Sequence, residues 1–182
     1  MNHLSGTNHV YVHVPFCSGK CFYCSFYSVP FSDQLVESWL KALDIEIKVV
    51  LQRKTVSPAT IYLGGGTPSI LSCHQLEHLL EIIRKHFSME NLREWTFEAN
   101  PGTFSREKVA ILAGYGVNRV SLGAQAFNNK ILKMLGRRHS EADIADTLEM
   151  LRSGGIMNAG LDLICAIPGV GEKGWQKTIA GA

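Results

Sequence analysis

Three cysteines stand close together near the start of the chain, at Cys17, Cys21 and Cys24, in a C-x3-C-x2-C arrangement. Thiolates at such short separations can bind three irons of a cubane cluster and leave the fourth iron without a protein ligand. An iron with a vacant position is able to bind a further ligand. The spacing therefore predicts a 4Fe-4S cluster with one open iron.

The same cysteines allow two alternatives. A C-x2-C pair also occurs in structural zinc sites, where His13 could supply a fourth ligand, and in thiol redox pairs. We favour the cluster because three thiolates are present without an equally obvious fourth zinc ligand, and we expect His13 to lie near the cluster without binding it.

The chain has 5 cysteines, an odd number, which argues against a secreted disulfide framework. Cys73 and Cys165 are isolated and are expected to be small buried side chains.

The composition is that of an ordinary globular chain. It has 182 residues, of which 46% are hydrophobic and 19% charged, as in a single α/β domain. The formal net charge is +2 without a long run of Lys or Arg, so charge gives no support to nucleic-acid or membrane binding. The segment Met1–Ser5 lacks a signal-peptide pattern, and no apolar run approaches the roughly 18 residues of a membrane span. We therefore expect a cytoplasmic protein without a transmembrane segment.

Strands and helices alternate along the chain, and they must position the cysteines. Apolar alternation and short apolar runs predict strands over 10–16, 60–63, 94–100, 119–125 and 160–165. Helical spacing and capping residues predict helices over 33–53, 73–87, 106–113, 128–135 and 141–152, and another from 172. The first helix is expected to bury Leu35, Trp39, Leu43, Ile47 and Val50.

This order predicts a parallel sheet with helices outside it, because each crossover between strands is long enough to be helical. A closed barrel of eight units takes about 250 residues. About five βα units in a chain of 182 residues therefore indicate an α/β fold in the form of a partial TIM-type barrel. We place residues 1–182 in one domain and expect the chain to stop within the fold, because the helix predicted from 172 is cut short at Ala182.

Polar residues and glycines lie near the C-terminal ends of successive predicted strands. They are Cys17, Gly64, Gly65, Gly66, Thr67, Glu98, Asn100, Gln125 and Asp162. The loops at that edge of a parallel sheet converge, so these residues predict a single binding site.

Each of these features also has a simpler explanation. The three glycines either bend a strand or bring the backbone close to an amino-acid-like ligand. Glu98 and Asp162 either pair with cationic groups of the protein or bind an ammonium or hydroxyl group of a ligand. The run Arg137-Arg138-His139 is either a solvated face or places Arg137 to bind a carboxylate.

These motifs together resemble those of radical S-adenosylmethionine proteins, specifically the oxygen-independent coproporphyrinogen III oxidase group. The resemblance covers nearly the whole chain and includes segments 11–26, 64–68, 98–101, 121–125 and 162–169, with Arg137 and His139. It implies a radical S-adenosylmethionine core domain with a 4Fe-4S cluster on Cys17, Cys21 and Cys24. It also implies that the fold continues past Ala182 with a sixth unit and a C-terminal domain. The amino and carboxylate groups of S-adenosylmethionine would bind the open iron. In this family the reduced cluster passes one electron to the sulfonium, whose C–S bond breaks to give methionine and a 5'-deoxyadenosyl radical.

The resemblance also implies roles for individual residues. Tyr11, Gly65 and Glu98 match contacts to the cluster-bound S-adenosylmethionine. Contacts to a second S-adenosylmethionine in the oxidase are matched by Gly66, Thr67, Gln125, Arg137 and Asp162.

Two departures separate this chain from the oxidase and make it similar to the HemW-type branch, which is regarded as a group of haem chaperones. Phe26 stands where the oxidase carries a further Cys, and only 16 residues precede Cys17. The branch implies haem or a porphyrinogen, an electron donor and a haem-acceptor protein as partners. The alternatives are an oxidase that decarboxylates propionates of coproporphyrinogen III, and a truncated fragment that holds a cluster and does nothing further.

Overall fold

The computed structural model describes residues 9–52 and 56–182, so the segment Met1–Ser5 lies outside the described residues. In chain order the elements are β1 (His9–Val14), β2 (Phe16–Cys17), β3 (Val29–Pro30), α1 (Asp33–Leu51), β4 (Thr60–Gly65), a 3-10 turn (Pro68–Ile70), α2 (Cys73–His86), β5 (Glu94–Ala99), α3 (Arg106–Tyr115), β6 (Arg119–Gln125), α4 (Asn129–Met134), α5 (Glu141–Ser153), β7 (Asn158–Leu163) and α6 (Glu172–Gly181). Across these described ranges no helix is both long enough and apolar enough to cross a bilayer.

Five strands form one parallel sheet in the order β1-β4-β5-β6-β7. Each strand joins its neighbour through a crossover that contains a helix, as expected for parallel strands. The short strands β2 and β3 pair with each other beside this sheet and enclose the cysteine loop between them. The predicted α/β fold with a partial barrel of about five βα units is therefore confirmed.

The two faces of the sheet differ in chemistry because side chains alternate along each strand. One face is apolar and packs against the helices, and its fully buried side chains include Ile61, Leu63, Trp95, Phe97, Val120 and Leu122. The intervening positions carry Tyr62, Glu98, Ser121 and Asp162, which line a cavity on the other face. The helices thus cover one face and leave the polar face for the site.

Local hydrogen bonds fix where α2 begins, directly after the glycine-rich turn. The backbone N–H of Gln75 donates to Ser72 Oγ at 3.2 Å, and the backbone N–H of Ser72 donates to Gln75 Oε1 at 3.0 Å. Such a capping box satisfies two backbone donors that the first turn of a helix leaves without partners. The chain is therefore turned back over the sheet within a few residues of Thr67.

The structure corrects the predicted buried side of α1. The buried residues are Val36, Leu40, Leu43, Ile47 and Leu51. Leu35 and Val50 are 49% and 61% exposed, although the sequence predicted them to be buried. Both stripes have helical spacing, and contact with the sheet and α2 decides which one faces inward. The helix ends at Leu51, and the predicted end at 53 lies outside the described residues.

This correction can be tested by truncating one residue from each stripe. Leu40 is fully buried, so Leu40→Ala should lower the free energy of unfolding by about 3 kcal/mol through lost burial and a residual cavity. Val50→Ala should change it by less than about 0.5 kcal/mol, because this side chain is exposed. Urea denaturation followed by circular dichroism measures both, and equal losses would contradict the observed helix orientation.

Candidate cofactor site

A cavity of about 670 Å³ opens at the C-terminal edge of the sheet. It is lined by all three clustered cysteines and by Gly65, Gly66, Thr67, Glu98, Asn100, Gln125, Arg137 and Asp162. Among the predicted site residues, Tyr11 does not line the cavity and is 58% exposed. The strand ends therefore converge on one cavity, as the sequence predicted for parallel strands.

The cysteine loop, residues 17–24, is held from both sides. On one side the backbone N–H of Phe31, directly after β3, donates to the Cys17 carbonyl at 3.0 Å. On the other side the backbone N–H of Phe22 donates to the Leu135 carbonyl at 3.3 Å. The three clustered thiols are partly buried, as is Cys73. Cys165 is exposed, so the expectation that it is a buried side chain is wrong.

The donor set of this loop suits a cubane cluster. Within ranges 9–52 and 56–182 no three His, Cys, Asp or Glu side chains are grouped closely enough to share one metal ion. A cubane does not need such a group, because each of its three thiolates binds a different iron. Three soft thiolates beside an open cavity therefore fit a 4Fe-4S cluster.

His13 is engaged by the protein through both ring nitrogens. Its Nε2 lies 3.0 Å from the Tyr27 carbonyl, which can only accept, so Nε2 carries the hydrogen. Nδ1 lies 3.0 Å from the Tyr11 hydroxyl, with which it forms a second hydrogen bond. His13 thus joins β1 to the segment that follows the cysteine loop, and both of its ring nitrogens are engaged within the protein. That it lies near the cluster without binding it stays a prediction.

Gly65 and Gly66 are required by close approaches within the protein. Gly65 has φ of 119°, and a Cβ there would lie 2.7 Å from the His13 ring. A Cβ on Gly66 would lie 2.6 Å from the backbone oxygen of Phe16. Side chains at these positions would separate β4 from the start of the cysteine loop. The glycines therefore have a structural role, while their backbone also lines the cavity.

Glu98 is held on the cavity wall by two donors. Its carboxylate accepts from the Tyr62 hydroxyl at 2.7 Å and from the Gly65 backbone N–H at 2.9 Å. Burial, reinforced by the nearby Glu98 carboxylate, raises the pKa of Tyr62 well above its ordinary value, so the phenol remains a donor. The Tyr11 ring stacks on Tyr62 with 5.9 Å between centroids, and the two residues are partners in the pairing of β1 with β4, so Tyr11 lies beside Tyr62 on the same face of the sheet.

Arg137 connects several parts of the site. Its Nη2 donates to Asn100 Oδ1 at 2.6 Å and to the Gly123 carbonyl at 2.7 Å. Its Nη1 lies 3.5 Å from both Cys21 Sγ and the Tyr23 hydroxyl. Among the described residues its buried Nε has no hydrogen-bond partner. Arg137 is therefore not part of a solvated face.

The far side of the cavity is formed by β6 and β7. Ser121 Oγ donates to the Asp162 carboxylate at 3.1 Å, which joins the two strands. Gln125 ends β6 in a left-handed conformation with φ of 67°, next to a shift in the pairing register with β7. A non-glycine residue in this conformation costs about 1–3 kcal/mol and is common at binding sites. The strain favours a functional role for Gln125.

Sequence reasoning missed Tyr62, Ser121 and Tyr23 as members of the site. Tyr62 and Ser121 each lie between two apolar residues of their strands. The alternation alone would have placed them on the same face as Glu98 and Asp162. No comparable signal identified Tyr23, since its contact with Arg137 depends on the tertiary fold.

Comparison with known proteins now identifies the family. The sequence pattern of the Radical SAM superfamily matches residues 11–180. This chain belongs to the radical SAM superfamily. The superfamily implies a 4Fe-4S cluster and S-adenosylmethionine as cofactors, and the thiols, the cavity and the unpaired Arg137 Nε are compatible with both.

Several relatives of this radical SAM chain are named for haem metabolism. It is 45% identical over 166 residues to the haem chaperone HemW of Lactococcus lactis, covering 91% of this chain and 43% of that protein. It is 34% identical to HemZ of Bacillus subtilis, a protein described as oxygen-independent coproporphyrinogen-III oxidase-like, covering 94% of this chain and 36% of HemZ. The chain thus spans less than half the length of these relatives.

A solved structure shows the same fold. The coproporphyrinogen III oxidase HemN of Escherichia coli, described as a radical SAM enzyme, superposes with a TM-score of 0.81 at 26% identity. The superposition covers 94% of this chain and 40% of HemN. This likeness agrees with the observed parallel sheet.

His139 also lines the cavity, and its imidazole is kept neutral by the surrounding protein. Its Nε2 donates to the Ala124 carbonyl at 3.1 Å, and the side chain is buried. Burial, with a further contribution from the Arg137 charge, lowers the pKa of His139 from 6.5 to about 4. The imidazole is therefore uncharged at neutral pH.

The lowered pKa predicts a stability loss in mild acid. The unfolded chain binds a proton to His139 near pH 6.5 and the folded chain only near pH 4, so the stabilisation is complete above pH 6.5. It should be lost between these values, reducing the free energy of unfolding by about 3 kcal/mol. Urea denaturation at several pH values measures this.

The control is His139→Gln, which retains an N–H donor but does not titrate. Its stability should change little between pH 6.5 and 4. Asp44 and Asp143 have pKa values lowered by hydrogen bonds, so their stabilisation is lost in both proteins only as the pH falls below 3.8. Parallel pH profiles of the two proteins above pH 4 would contradict the prediction.

Proposed function

We propose that this chain binds a 4Fe-4S cluster through Cys17, Cys21 and Cys24, with S-adenosylmethionine on the open iron. The observation that carries the proposal is the convergence of the three thiols with five strand ends on one cavity. When bound, the reduced cluster supplies one electron to the sulfonium, which is the chemistry shared by the superfamily. The protein residues bind and orient the cofactors.

Two charged groups suit the amino-acid part of S-adenosylmethionine. The Glu98 carboxylate is fixed by Tyr62 and the Gly65 N–H and suits an ammonium or hydroxyl group. The unpaired Nε of Arg137 suits a carboxylate. We assign Tyr11, Gly65 and Glu98 to the cluster-bound molecule, with the Tyr11 ring stacked on Tyr62.

A second S-adenosylmethionine is proposed on the opposite side of the cavity. The contact residues would be Gly66, Thr67, Gln125, Arg137 and Asp162, all of which line the cavity. Gln125 keeps a strained backbone there, and Asp162 is oriented by Ser121. A strained and preoriented pair is more consistent with binding than with support of the fold.

We further propose that the chain belongs to the HemW-type branch and handles haem. The supporting features are the 45% identity to a haem chaperone HemW and the presence of Phe26, 67% exposed, two positions after Cys24. An oxygen-independent coproporphyrinogen III oxidase is the second candidate, favoured by the structural likeness to HemN. In either case haem or a porphyrinogen and an electron donor are partners, and the first candidate adds a haem-acceptor protein.

The cluster assignment can be tested by anaerobic reconstitution with iron and sulfide. A triple variant in which Cys17, Cys21 and Cys24 are all replaced by Ser should lose the broad visible absorption and bind less than a tenth of the iron, because the thiolates hold the cluster. Cys73→Ser and Cys165→Ser are matched controls and should retain full iron content. Undiminished iron in the triple variant would overturn the assignment.

The two haem-pathway candidates differ in their response to substrate. The reconstituted chain is titrated with haem, and separately supplied with coproporphyrinogen III, S-adenosylmethionine and a reductant. A haem chaperone should shift the haem absorption band and release no carbon dioxide. Release of carbon dioxide from the propionates would favour the oxidase and contradict the chaperone proposal.

A further inference from the structure

Three side chains connect two of the clustered thiols by hydrogen bonds, and we call Thr67, Asn100 and Arg137 the thiol bracket. Thr67 Oγ1 lies 3.6 Å from Cys17 Sγ. Asn100 Nδ2 lies 3.1 Å from Thr67 Oγ1, and Asn100 Oδ1 lies 2.6 Å from Arg137 Nη2. Arg137 Nη1 lies 3.5 Å from Cys21 Sγ. The bracket therefore runs without interruption from one thiol to the other.

The chemistry of these groups fixes the direction of every hydrogen bond. A guanidinium only donates, so the Asn100 atom that faces Arg137 must be its oxygen. The Asn100 amide nitrogen then donates to the Thr67 oxygen. A cysteine thiolate that binds iron has no hydrogen to donate, so the Thr67 hydroxyl directs its own hydrogen at Cys17 Sγ. Both ends of the thiol bracket thus donate to sulfur.

The thiol bracket is fixed by the protein itself. The Asn100 backbone N–H donates to Ser69 Oγ at 3.1 Å, and Thr103 Oγ1 donates to the Asn100 carbonyl at 2.6 Å. Ser69 and Thr67 are 1% and 7% exposed. Buried donors with defined partners need no reorganisation when a ligand binds. The two donors are therefore already aimed at the sulfurs.

We infer that Asn100 is a positioning residue that acts through Thr67 and Arg137 to make the cluster easier to reduce. This inference rests on the proposed cluster at the three cysteines. One-electron reduction adds negative charge to the cluster, and part of that charge lies on the thiolate sulfurs. Hydrogen bonds to those sulfurs stabilise the reduced form more than the oxidised form and so raise the reduction potential. The electron comes from an external donor.

Thr67→Val tests one end of the thiol bracket, because it removes the hydroxyl and preserves the branched shape. Thr67→Ser is the matched control, since it keeps the hydroxyl. Asn100→Asp tests the centre, because a carboxylate would accept from Thr67 and turn its hydrogen away from Cys17. The midpoint potential of the anaerobically reconstituted 182-residue chain is measured by titration with dithionite, followed by electron paramagnetic resonance.

We expect Thr67→Val and Asn100→Asp each to lower the equilibrium constant for reduction by about tenfold, which is a shift of about 59 mV to more negative potential for one electron. Thr67→Ser should retain the original potential. A residue that only supports the fold would change iron content or stability and leave the potential unaltered. Iron content and circular dichroism therefore accompany each titration.

The possible failures are distinguishable. If the unsubstituted chain forms no cluster, the proposed function fails and the inference fails with it. If the cluster forms and Thr67→Val folds with the original potential, the inference alone is overturned. Should Thr67→Val not fold, the comparison of Asn100→Asp with the unsubstituted chain decides, and an unchanged potential there overturns the inference.

Discussion

The guanidinium of Arg137 links parts of the chain that are remote in sequence. It donates to Asn100 after β5 and to the Gly123 carbonyl in β6, and it approaches Cys21 in the cysteine loop. A planar group with five donors in a rigid arrangement is able to make such contacts at the same time. The cysteine loop has little regular structure of its own, so its position relative to the sheet depends on this side chain and on the packing around it.

The contrast between the two faces of the sheet explains how a binding site is compatible with a stable domain. Burial of the apolar face against the helices provides the principal favourable contribution to folding. The polar face would be costly without partners, and the protein largely supplies them, as with Tyr62 and Glu98 or Ser121 and Asp162. Arg137 Nε is an exception among the described residues, which is consistent with a ligand that completes the site.

The glycine-rich turn shows that a binding motif can also be a packing motif. Gly65 and Gly66 approach the His13 ring and the Phe16 backbone so closely that a Cβ would collide with them. The same approach brings Thr67 within reach of Cys17. The glycine-rich turn therefore fixes a specific contact between β4 and the start of the cysteine loop.

Much of this protein could be predicted from sequence, because periodicity and spacing are local properties. The alternation of strands and helices, the parallel sheet and the convergence of strand ends all followed from local patterns. The cysteine spacing alone indicated the class of cofactor.

What remained undecided from the sequence depended on contacts between distant segments. Two apolar stripes of α1 had helical spacing, and packing selected the one that contains Leu40. Tyr11 stacks on Tyr62 of the neighbouring strand, and Cys165 is exposed, for reasons that no local pattern contains. The thiol bracket likewise exists only because the folded sheet places Thr67, Asn100 and Arg137 within hydrogen-bond distance.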